Sequence, residues 1–424
     1  MKVAIYTLGC KVNHYESEAM LELFKAAGWE AVDFTERADC YIVNTCTVTA
    51  VSDKKSRQML SRACRLNPEA AVVAVGCYAQ TKPGEVVALP GVSLVIGTDR
   101  RLEIVQLVEG YLRDRKPACL VGTLENGLAF EELSAVADSR TRATLKIQDG
   151  CRNFCTYCAI PYARGPLRSR SLVSIRRELE RLAAEGYREV VLTGIHLNSW
   201  GIDSGEGDLN DVLRACTGAG IARIRLGSLE PKQMDGRFQE TIAMVPELCP
   251  QFHLSLQSGC DTVLRRMARR YDTADYRRAV EVLREAAPGC AITTDVIAGF
   301  VGETEAEHQA TMAFLEEIGF ARIHVFPYSR RRGTAADRMQ GHLEKALKEA
   351  RAAELIQLGD RLETAFVAGM VGKTAGVLVE TDGTGYTENY VRTRVEPACG
   401  EGALKQVRIT SAEGKLAVGE SLES

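Results

Sequence analysis

The sequence predicts an α/β protein with an N-terminal parallel α/β domain, a central partial (β/α)6 barrel and a small C-terminal antiparallel β-barrel. Two observations predict this order. Strands alternate with helices twice, before residue 125 and again from about 140, and beyond about 366 short β-prone runs are separated by Gly, Asp and Asn. A length of 424 residues also suits two or three domains. We therefore expect domains over residues 1–125, 140–365 and 366–424.

The first alternating series predicts a parallel sheet. Its β-prone runs cover 3–8, 40–44 and 71–76, with helical stretches at 16–27 and 52–65 between them. Strands separated by helices form βαβ units, which pair in parallel. The pattern weakens over about 122–142, which we interpret as the connection between domains.

The second series contains six further β-prone runs and therefore predicts the partial barrel. Helical stretches lie between the runs, and a long charged helix at about 343–366 closes the series. In such barrels, ligands bind at the carboxyl ends of the strands. The predicted strands cover residues 143–147, 189–193, 222–227, 251–256, 291–297 and 321–326.

Composition limits the class of protein and its compartment. No apolar run reaches 18 residues, so we expect no membrane span. The start, MKVAIYTLGC, is typical of a buried strand rather than a signal peptide, which predicts a cytoplasmic chain with reduced thiols. The 14 cysteines are then core residues or metal ligands. A net charge of −3 argues against nonspecific coating of nucleic acid but permits a local basic face.

The stretch CRNFCTYC carries the strongest chemical signal. It places Cys151, Cys155 and Cys158 in a C-x3-C-x2-C pattern soon after a predicted strand. Three thiolates with no nearby histidine do not complete a tetrahedral zinc site. They can hold three irons of a [4Fe–4S] cluster and leave the fourth iron open to another ligand.

Three further cysteines each end a β-prone run in the N-terminal domain. They are Cys10, Cys46 and Cys77. Neighbouring ends of parallel strands lie close together, so these thiols could bind a second cluster. Cysteine is also a common buried core residue, and Cys40 and Cys64 lie in the same domain. Spacing alone leaves both interpretations open.

The cysteine spacing resembles that of the radical S-adenosylmethionine (SAM) superfamily, in which an aromatic residue usually precedes the third cysteine, as Tyr157 does here. Other segments agree with this resemblance. TGIHLNSWG places Gly194 after a strand, HLSLQSGCD contains Gln257 and Ser258, and DVIAGFVGETE contains Gly299. The resemblance implies that these five residues bind SAM.

Further motifs, in order along the chain, resemble the methylthiotransferase family within that superfamily. TLGCKVN, NTCTVT and VGCYAQ are similar to its N-terminal domain, PYARGPLRSRS and FPYSRRRGTAA to its radical SAM core, and GYTENYVR to its C-terminal TRAM domain. This resemblance implies two [4Fe–4S] clusters as cofactors besides SAM. Cys10, Cys46 and Cys77 would hold the second cluster, and no catalytic residue is implied beyond the six ligands.

The subfamily motifs imply the reaction. LGCKVN, QSGCD and GYTENYVR are most similar to enzymes that convert N6-threonylcarbamoyladenosine at position 37 of tRNA to its 2-methylthio derivative. The implied partners are the tRNA anticodon loop, an electron donor such as flavodoxin or ferredoxin, and a sulfur source. Three alternatives stay open: isopentenyladenosine in tRNA as substrate, an aspartate of a ribosomal protein, and a non-catalytic iron–sulfur module that binds RNA.

Basic and aromatic residues near the predicted active face are candidate RNA contacts. Arg164 and Arg168 follow the cysteine loop, and Arg330 follows the last barrel strand. Arginines there could bind phosphates or stack on bases, although a solvated charged loop is the plainer interpretation. Tyr390 and Arg392 could stack on and clamp RNA from the C-terminal domain. Further arginines in the first two groups are Arg170, Arg331 and Arg332.

Overall fold

A computed structural model of the chain describes residues 1–135, 141–380 and 382–422. The connection expected at about 122–142 therefore falls partly outside the described residues, at 136–140. The described part of that stretch before 136 contains no helix or strand. No helix in the described ranges is long and apolar enough to cross a membrane.

The N-terminal part is a six-stranded sheet in which all neighbouring strands pair in parallel, in the order β2-β1-β3-β4-β5-β6. Strands β3 and β4 are buried along their whole length because apolar clusters cover both faces of the sheet. The elements are β1 Lys2–Thr7, α1 Lys11–Ala26, β2 Glu30–Ala31, β3 Cys40–Thr45, α2 Ala50–Leu66, β4 Ala71–Gly76, α3 Cys77–Thr81, α4 Pro83–Val87, β5 Leu94–Val95, α5 Ile104–Asp114 and β6 Ala118–Cys119.

The central part is a curled half-barrel of six parallel strands in chain order, with a short antiparallel strand at one edge. Isolated bridges such as Ile224 to Leu248 join its two halves. The elements are β7 Arg142–Asp149, α6 Ile160–Arg164, β8 Arg168–Ser169, α7 Leu172–Ala184, β9 Glu189–Gly194, α8 Leu209–Cys216, β10 Arg223–Leu226, α9 Gly236–Met244, β11 Gln251–His253, α10 Asp261–Arg266, α11 Thr273–Ala286, β12 Ala291–Ala298, α12 Glu305–Ile318, β13 Arg322–Pro327 and α13 Lys345–Ala368.

Local sequence sets the starts of the barrel helices. Asp208, Asp272 and Thr304 each accept a hydrogen bond from the third residue of the following helix, whose own acidic side chain accepts one from the capping residue. These capping boxes satisfy backbone donors that a helix start would otherwise leave unpaired. The outer faces of the strands pack against the helices in one large apolar core, which leaves the inner faces free to line a cavity.

The C-terminal part is a closed five-stranded barrel in the order β14-β15-β16-β18-β17. It is mixed rather than wholly antiparallel, because β16 and β18 pair in parallel while the other pairs are antiparallel. Arg223 and Arg225 of β10 donate hydrogen bonds to its backbone carbonyls and so hold it against the half-barrel. The strands are β14 Thr374–Val379, β15 Thr384–Thr387, β16 Arg392–Glu396, β17 Leu404–Glu413 and β18 Leu416–Ser421.

Candidate active site

The loop after β7 forms the first of two groups of cysteines. Cys151, Cys155 and Cys158, called the loop triad below, lie in a turn whose backbone N–H groups are directed at the cysteine sulfurs. The backbone N–H groups of Asn153 and Ile160 donate to Sγ of Cys151 and Cys158, at 3.5 and 3.4 Å. N–H groups directed at sulfur are a feature of iron–sulfur sites, where they tune the cluster.

A buried arginine serves the third sulfur of the loop triad. Arg269 Nη1 donates to Cys155 Sγ at 3.2 Å, while its Nη2 donates to Glu230 Oε1 at 2.9 Å. Glu230 in turn lies 3.2 Å from His196 Nε2 and accepts from Asn153 at 3.0 Å. The loop triad is therefore held against the carboxyl ends of β9 and β10 by a connected polar network.

The second group lies at the carboxyl edge of the N-terminal sheet. Cys10, Cys46 and Cys77, called the sheet-edge triad, follow β1, β3 and β4, and the parallel register of these strands brings their ends together. Val48 N–H donates to Cys46 Sγ at 3.5 Å. Gly9 has a φ of +113°, and a Cβ there would lie 3.1 Å from the Cys46 sulfur, so only glycine leaves room for that thiol.

Burial and neighbouring thiols both affect the ionisation of the triad cysteines. Burial raises the pKa of Cys77 to about 11; the Arg164 charge opposes this rise, and Cys10 and Cys46 add to it. Burial likewise raises the pKa of Cys158 to about 12, with Cys155 and Cys151 adding to the rise. The thiols of each triad therefore act on one another electrostatically. Metal binding has to displace protons from Cys77 and Cys158.

The thiol donors of the two triads are of the kind that hold iron–sulfur clusters. In the ranges that the structure describes, no three His, Cys, Asp or Glu side chains are grouped to hold one metal ion. A cluster needs only one thiolate for each of several irons, and each triad offers three, together with N–H donors to sulfur. The loop triad would hold one [4Fe–4S] cluster and the sheet-edge triad a second.

One cavity of about 970 Å³ runs through the half-barrel and reaches both triads. All three loop-triad cysteines line it, and Cys10 of the sheet-edge triad lines it from the other side. Inner-face residues of the barrel strands form most of its wall, and Tyr390 of the C-terminal barrel also reaches it. A molecule bound in this cavity could therefore lie between the loop triad and Cys10.

Comparisons with known proteins agree with this geometry. The model of the uncharacterized protein family UPF0004 matches residues 2–97, and that of the radical SAM superfamily matches residues 145–315. The threonylcarbamoyladenosine tRNA methylthiotransferase MtaB of Bacillus subtilis is 42% identical over 402 residues, which cover 92% of this chain and 89% of that protein. This chain belongs to the radical SAM methylthiotransferase family.

Two further proteins resemble this chain at lower sequence identity. The tRNA-2-methylthio-N(6)-dimethylallyladenosine synthase of Moorella thermoacetica is 34% identical and covers 99% of this chain and 98% of its own. The radical S-adenosylmethionine methyltransferase TsrM from Kitasatospora setae superposes with a TM-score of 0.60 at 17% identity, over 79% of this chain and 76% of that chain. The second similarity shows the fold alone.

The residues expected to bind SAM divide into two groups in this methylthiotransferase. Tyr157 and Gly194 line the cavity beside the loop triad. Gln257, Ser258 and Gly299 are not among its lining residues. Each of these three also has a structural role, which the next paragraph describes, and SAM binding by all five residues stays a prediction.

Gln257 has a φ of 69° and bonds through its backbone to β12, where it continues the curled sheet. The buried Ser258 hydroxyl accepts from the Cys260 N–H at the start of α10. Gly299 packs against α13, where a Cβ would lie 2.5 Å from Cγ of Lys348.

The structure corrects the expected RNA contacts after the cysteine loop. Arg164 is fully buried, pairs with Glu16 and donates through Nε to Cys77 Sγ at 3.3 Å. Arg168 is also buried and lies 3.2 Å from Asp149. Their charges are neutralised between the N-terminal and central parts, so neither can reach RNA. The arginines Arg170 and Arg331 are buried in the same way.

The remaining predicted RNA contacts have mixed positions. Arg330 and Arg392 are exposed, although each pairs with a nearby aspartate. Tyr390 is half-buried and lines the cavity, with its ring stacked 4.4 Å from that of Tyr386. Sequence reasoning missed Arg269 and Glu230; the position of Glu230 soon after β10 was the available signal, because ligands collect at the carboxyl ends of barrel strands.

Proposed function

We propose that this methylthiotransferase converts N6-threonylcarbamoyladenosine at position 37 of tRNA to its 2-methylthio derivative. The observation that carries the proposal is the cavity lined by the whole loop triad and by Cys10 of the sheet-edge triad, since a sulfur transfer from one site needs a substrate radical made beside the other. The 42% identity to MtaB over 92% of the chain supports the substrate assignment.

The cofactors supply the chemistry, and the protein supplies their placement. With clusters and SAM bound, the two triads would provide a radical and a sulfur donor for replacing a C–H bond by a C–S bond, which acid–base catalysis does not achieve. Tyr157 and Gly194 line the wall beside the loop triad, where SAM would lie. The barrel strands form most of the cavity wall and would shield a reactive intermediate from bulk water, which limits side reactions.

The reaction implies three partners. The substrate is a tRNA whose anticodon loop presents position 37, and a single-stranded loop can turn a base out into a cavity. We propose flavodoxin or ferredoxin as the electron donor and a separate sulfur source that restores the sheet-edge site after each turnover. Arg330 and Arg392 are exposed and are proposed phosphate contacts.

Mass spectrometry of tRNA nucleosides from cells with and without this gene tests the proposal. We expect 2-methylthio-N6-threonylcarbamoyladenosine to disappear and its unthiolated precursor to accumulate when the gene is deleted. Restoring the gene should reverse both changes, and restoring a Cys155→Ala form should not. If the methylthio form of isopentenyladenosine disappears instead, or both nucleosides are unchanged, the substrate assignment fails; a ribosomal-protein aspartate would then be examined next.

A further inference from the structure

The wall of the cavity carries an excess of positive charge. Five of its lining residues are lysine or arginine, whereas two are acidic, Glu230 and Asp295. Four of the cations have an acidic partner: Arg142 and Arg225 pair with Glu189, Arg269 with Glu230, and Arg322 with Glu363. The fifth is Lys11. Its ammonium makes no hydrogen bond or ion pair with any described residue.

Lys11 stands at the start of α1, directly after Cys10 of the sheet-edge triad. Helix α1 packs against β7 and β9, and Lys11, Val12 and His14 of its first turn line the cavity. Lys11, Arg142 and Arg225 line the same cavity. A cluster of three cations of this kind attracts an anion.

Two tyrosines hold the arginines at the cationic end of the cavity, where Lys11, Arg142 and Arg225 lie. Arg225 Cζ lies 4.7 Å and Arg142 Cζ 5.5 Å from the ring centre of Tyr390, which stacks on Tyr386. Arginine held on aromatic rings loses little further freedom when it binds an anion. Arg142 also lies 3.4 Å from Glu380, and its buried Nη2 atom has no hydrogen-bond partner among the described residues.

This cationic end lies away from the loop triad. Arg142 is the first residue of β7, whereas Cys151 follows the last residue of that strand. Eight strand residues at ~3.3 Å each span more than 20 Å, so an anion at Arg142 is not the methionine carboxylate of a SAM bound at the loop triad. Its position favours a group carried by the substrate and directed along the barrel.

We infer that Lys11 and Arg142 bind the carboxylate of the threonylcarbamoyl group on the target adenosine. The inference rests on the proposed function. It makes Lys11 a specificity residue: adenine would lie with carbon 2 between the triads and its N6 substituent directed toward Arg142 and Arg225. A dimethylallyl substituent has no charge to offer these cations.

Binding of anticodon stem-loop RNAs to the reconstituted holoenzyme tests this assignment. Three RNAs of one sequence are compared at one salt concentration, with N6-threonylcarbamoyladenosine, N6-isopentenyladenosine or plain adenosine at position 37. The wild type should prefer the threonylcarbamoyl RNA. In Lys11→Gln the ratio of Kd values between plain and threonylcarbamoyl RNA should fall about tenfold, because a hydrogen bond to a charged group is lost.

Two further variants control the result. Lys25→Gln removes a lysine from the other end of α1, where Lys25 pairs with Glu22, and should leave the ratio unchanged. Arg142→Gln should lower the ratio as Lys11→Gln does, while Lys11→Arg should preserve it. Iron content and the visible absorption of the clusters are measured in each variant, and because the readout is a ratio, a general weakening of RNA binding cancels.

Two results would overturn the assignment. If both Lys11→Gln and Arg142→Gln keep the wild-type ratio, these cations do not bind the carboxylate. If affinity for all three RNAs falls equally, the lysine contacts an RNA phosphate instead. Failure of the proposed function looks different, since the wild type would then leave threonylcarbamoyl RNA unmodified under turnover conditions.

Discussion

The two cysteine triads reach similar chemistry by opposite routes. The loop triad takes its three thiols from eight consecutive residues, 151–158, whereas the sheet-edge triad takes one thiol from each of three strand ends between Cys10 and Cys77. Each has a buried arginine that donates to one sulfur, Arg269 to Cys155 and Arg164 to Cys77. The difference lies in what must be folded before the thiols meet.

The loop triad needs one loop and the end of one strand. The sheet-edge triad needs the parallel register of β1, β3 and β4, and it also needs the contact between the N-terminal and central parts, because Arg164 comes from α6. At that contact Glu16 is fully buried and lies 3.0 Å from Arg101 and 2.7 Å from Lys146, besides its bonds to Arg164. The second site therefore depends on tertiary structure as a whole.

Removing one ligand from each triad gives the largest expected effect and separates their roles. Cys155→Ala should abolish SAM cleavage, because it removes a proposed ligand of the cluster at which SAM would bind. Cys46→Ala should retain SAM cleavage and lose methylthiolation. Production of 5′-deoxyadenosine and of the methylthio nucleoside is measured for both, and each protein should bind about half the iron of the wild type.

The replacement of a structural cysteine is the control for that pair. Cys216 is buried in the barrel core away from the cavity lining, so Cys216→Ala should keep both products. Full methylthiolation by Cys46→Ala would remove the sheet-edge triad from the reaction. Substantial SAM cleavage by Cys155→Ala would do the same for the loop triad.

The contact at Glu16 can be weakened without touching a cysteine. Glu16→Gln leaves buried cations with less compensation, and breaking a buried charge network of this kind costs about 3–5 kcal/mol of unfolding free energy. Glu22→Gln, on the same helix, breaks only the partly exposed pair with Lys25 and should cost less than about 1 kcal/mol. Urea unfolding measures both, and equal losses would contradict the role given to the contact.

The same contrast explains how far the sequence could predict the site. Spacing alone predicted the loop triad, because all the information that this prediction needs is local. The six barrel strands were placed within a few residues, since their apolar runs are short and regular. For Cys10, Cys46 and Cys77 the spacing left a core role open, and only the sheet brings these residues together.

Arginine roles were the least predictable from sequence. Arg164 and Arg330 both follow elements of the active face, yet one is fully buried and the other is exposed. The distinction depends on Glu16, an acidic residue in the middle of α1 that nothing in its local sequence marks as buried. A docking contact between distant segments therefore decides which charges remain available to RNA.

Exchanging each buried arginine for lysine should affect one cysteine site and not the other. Arg269→Lys should change the reduction potential of the loop-triad cluster, and Arg164→Lys that of the sheet-edge cluster, to more negative values, because each loses hydrogen bonding near sulfur. Groups next to metal ligands typically affect activity or metal affinity about 10- to 100-fold. Redox titration followed by electron paramagnetic resonance measures each change, and a shift of both clusters in either variant would contradict the separation.

Acid should weaken the contact at Glu16 gradually, which gives the smallest expected effect. Burial by itself would raise the pKa of Glu16, but the charges of Arg101, Arg164 and Lys146 outweigh burial and hold that pKa well below its ordinary 4.5. A carboxylate with a lowered pKa stabilises the fold above its unfolded-state pKa, and this contribution is lost as the pH falls toward the folded-state value, by at most about 1.4 kcal/mol per pH unit. The difference in unfolding free energy between wild type and Glu16→Gln should therefore be constant from pH 7 to about 5 and shrink below 4.5. Comparing the two proteins cancels acid effects that they share, so a difference that stays constant down to pH ~3 would show that Glu16 keeps no lowered pKa in the folded protein.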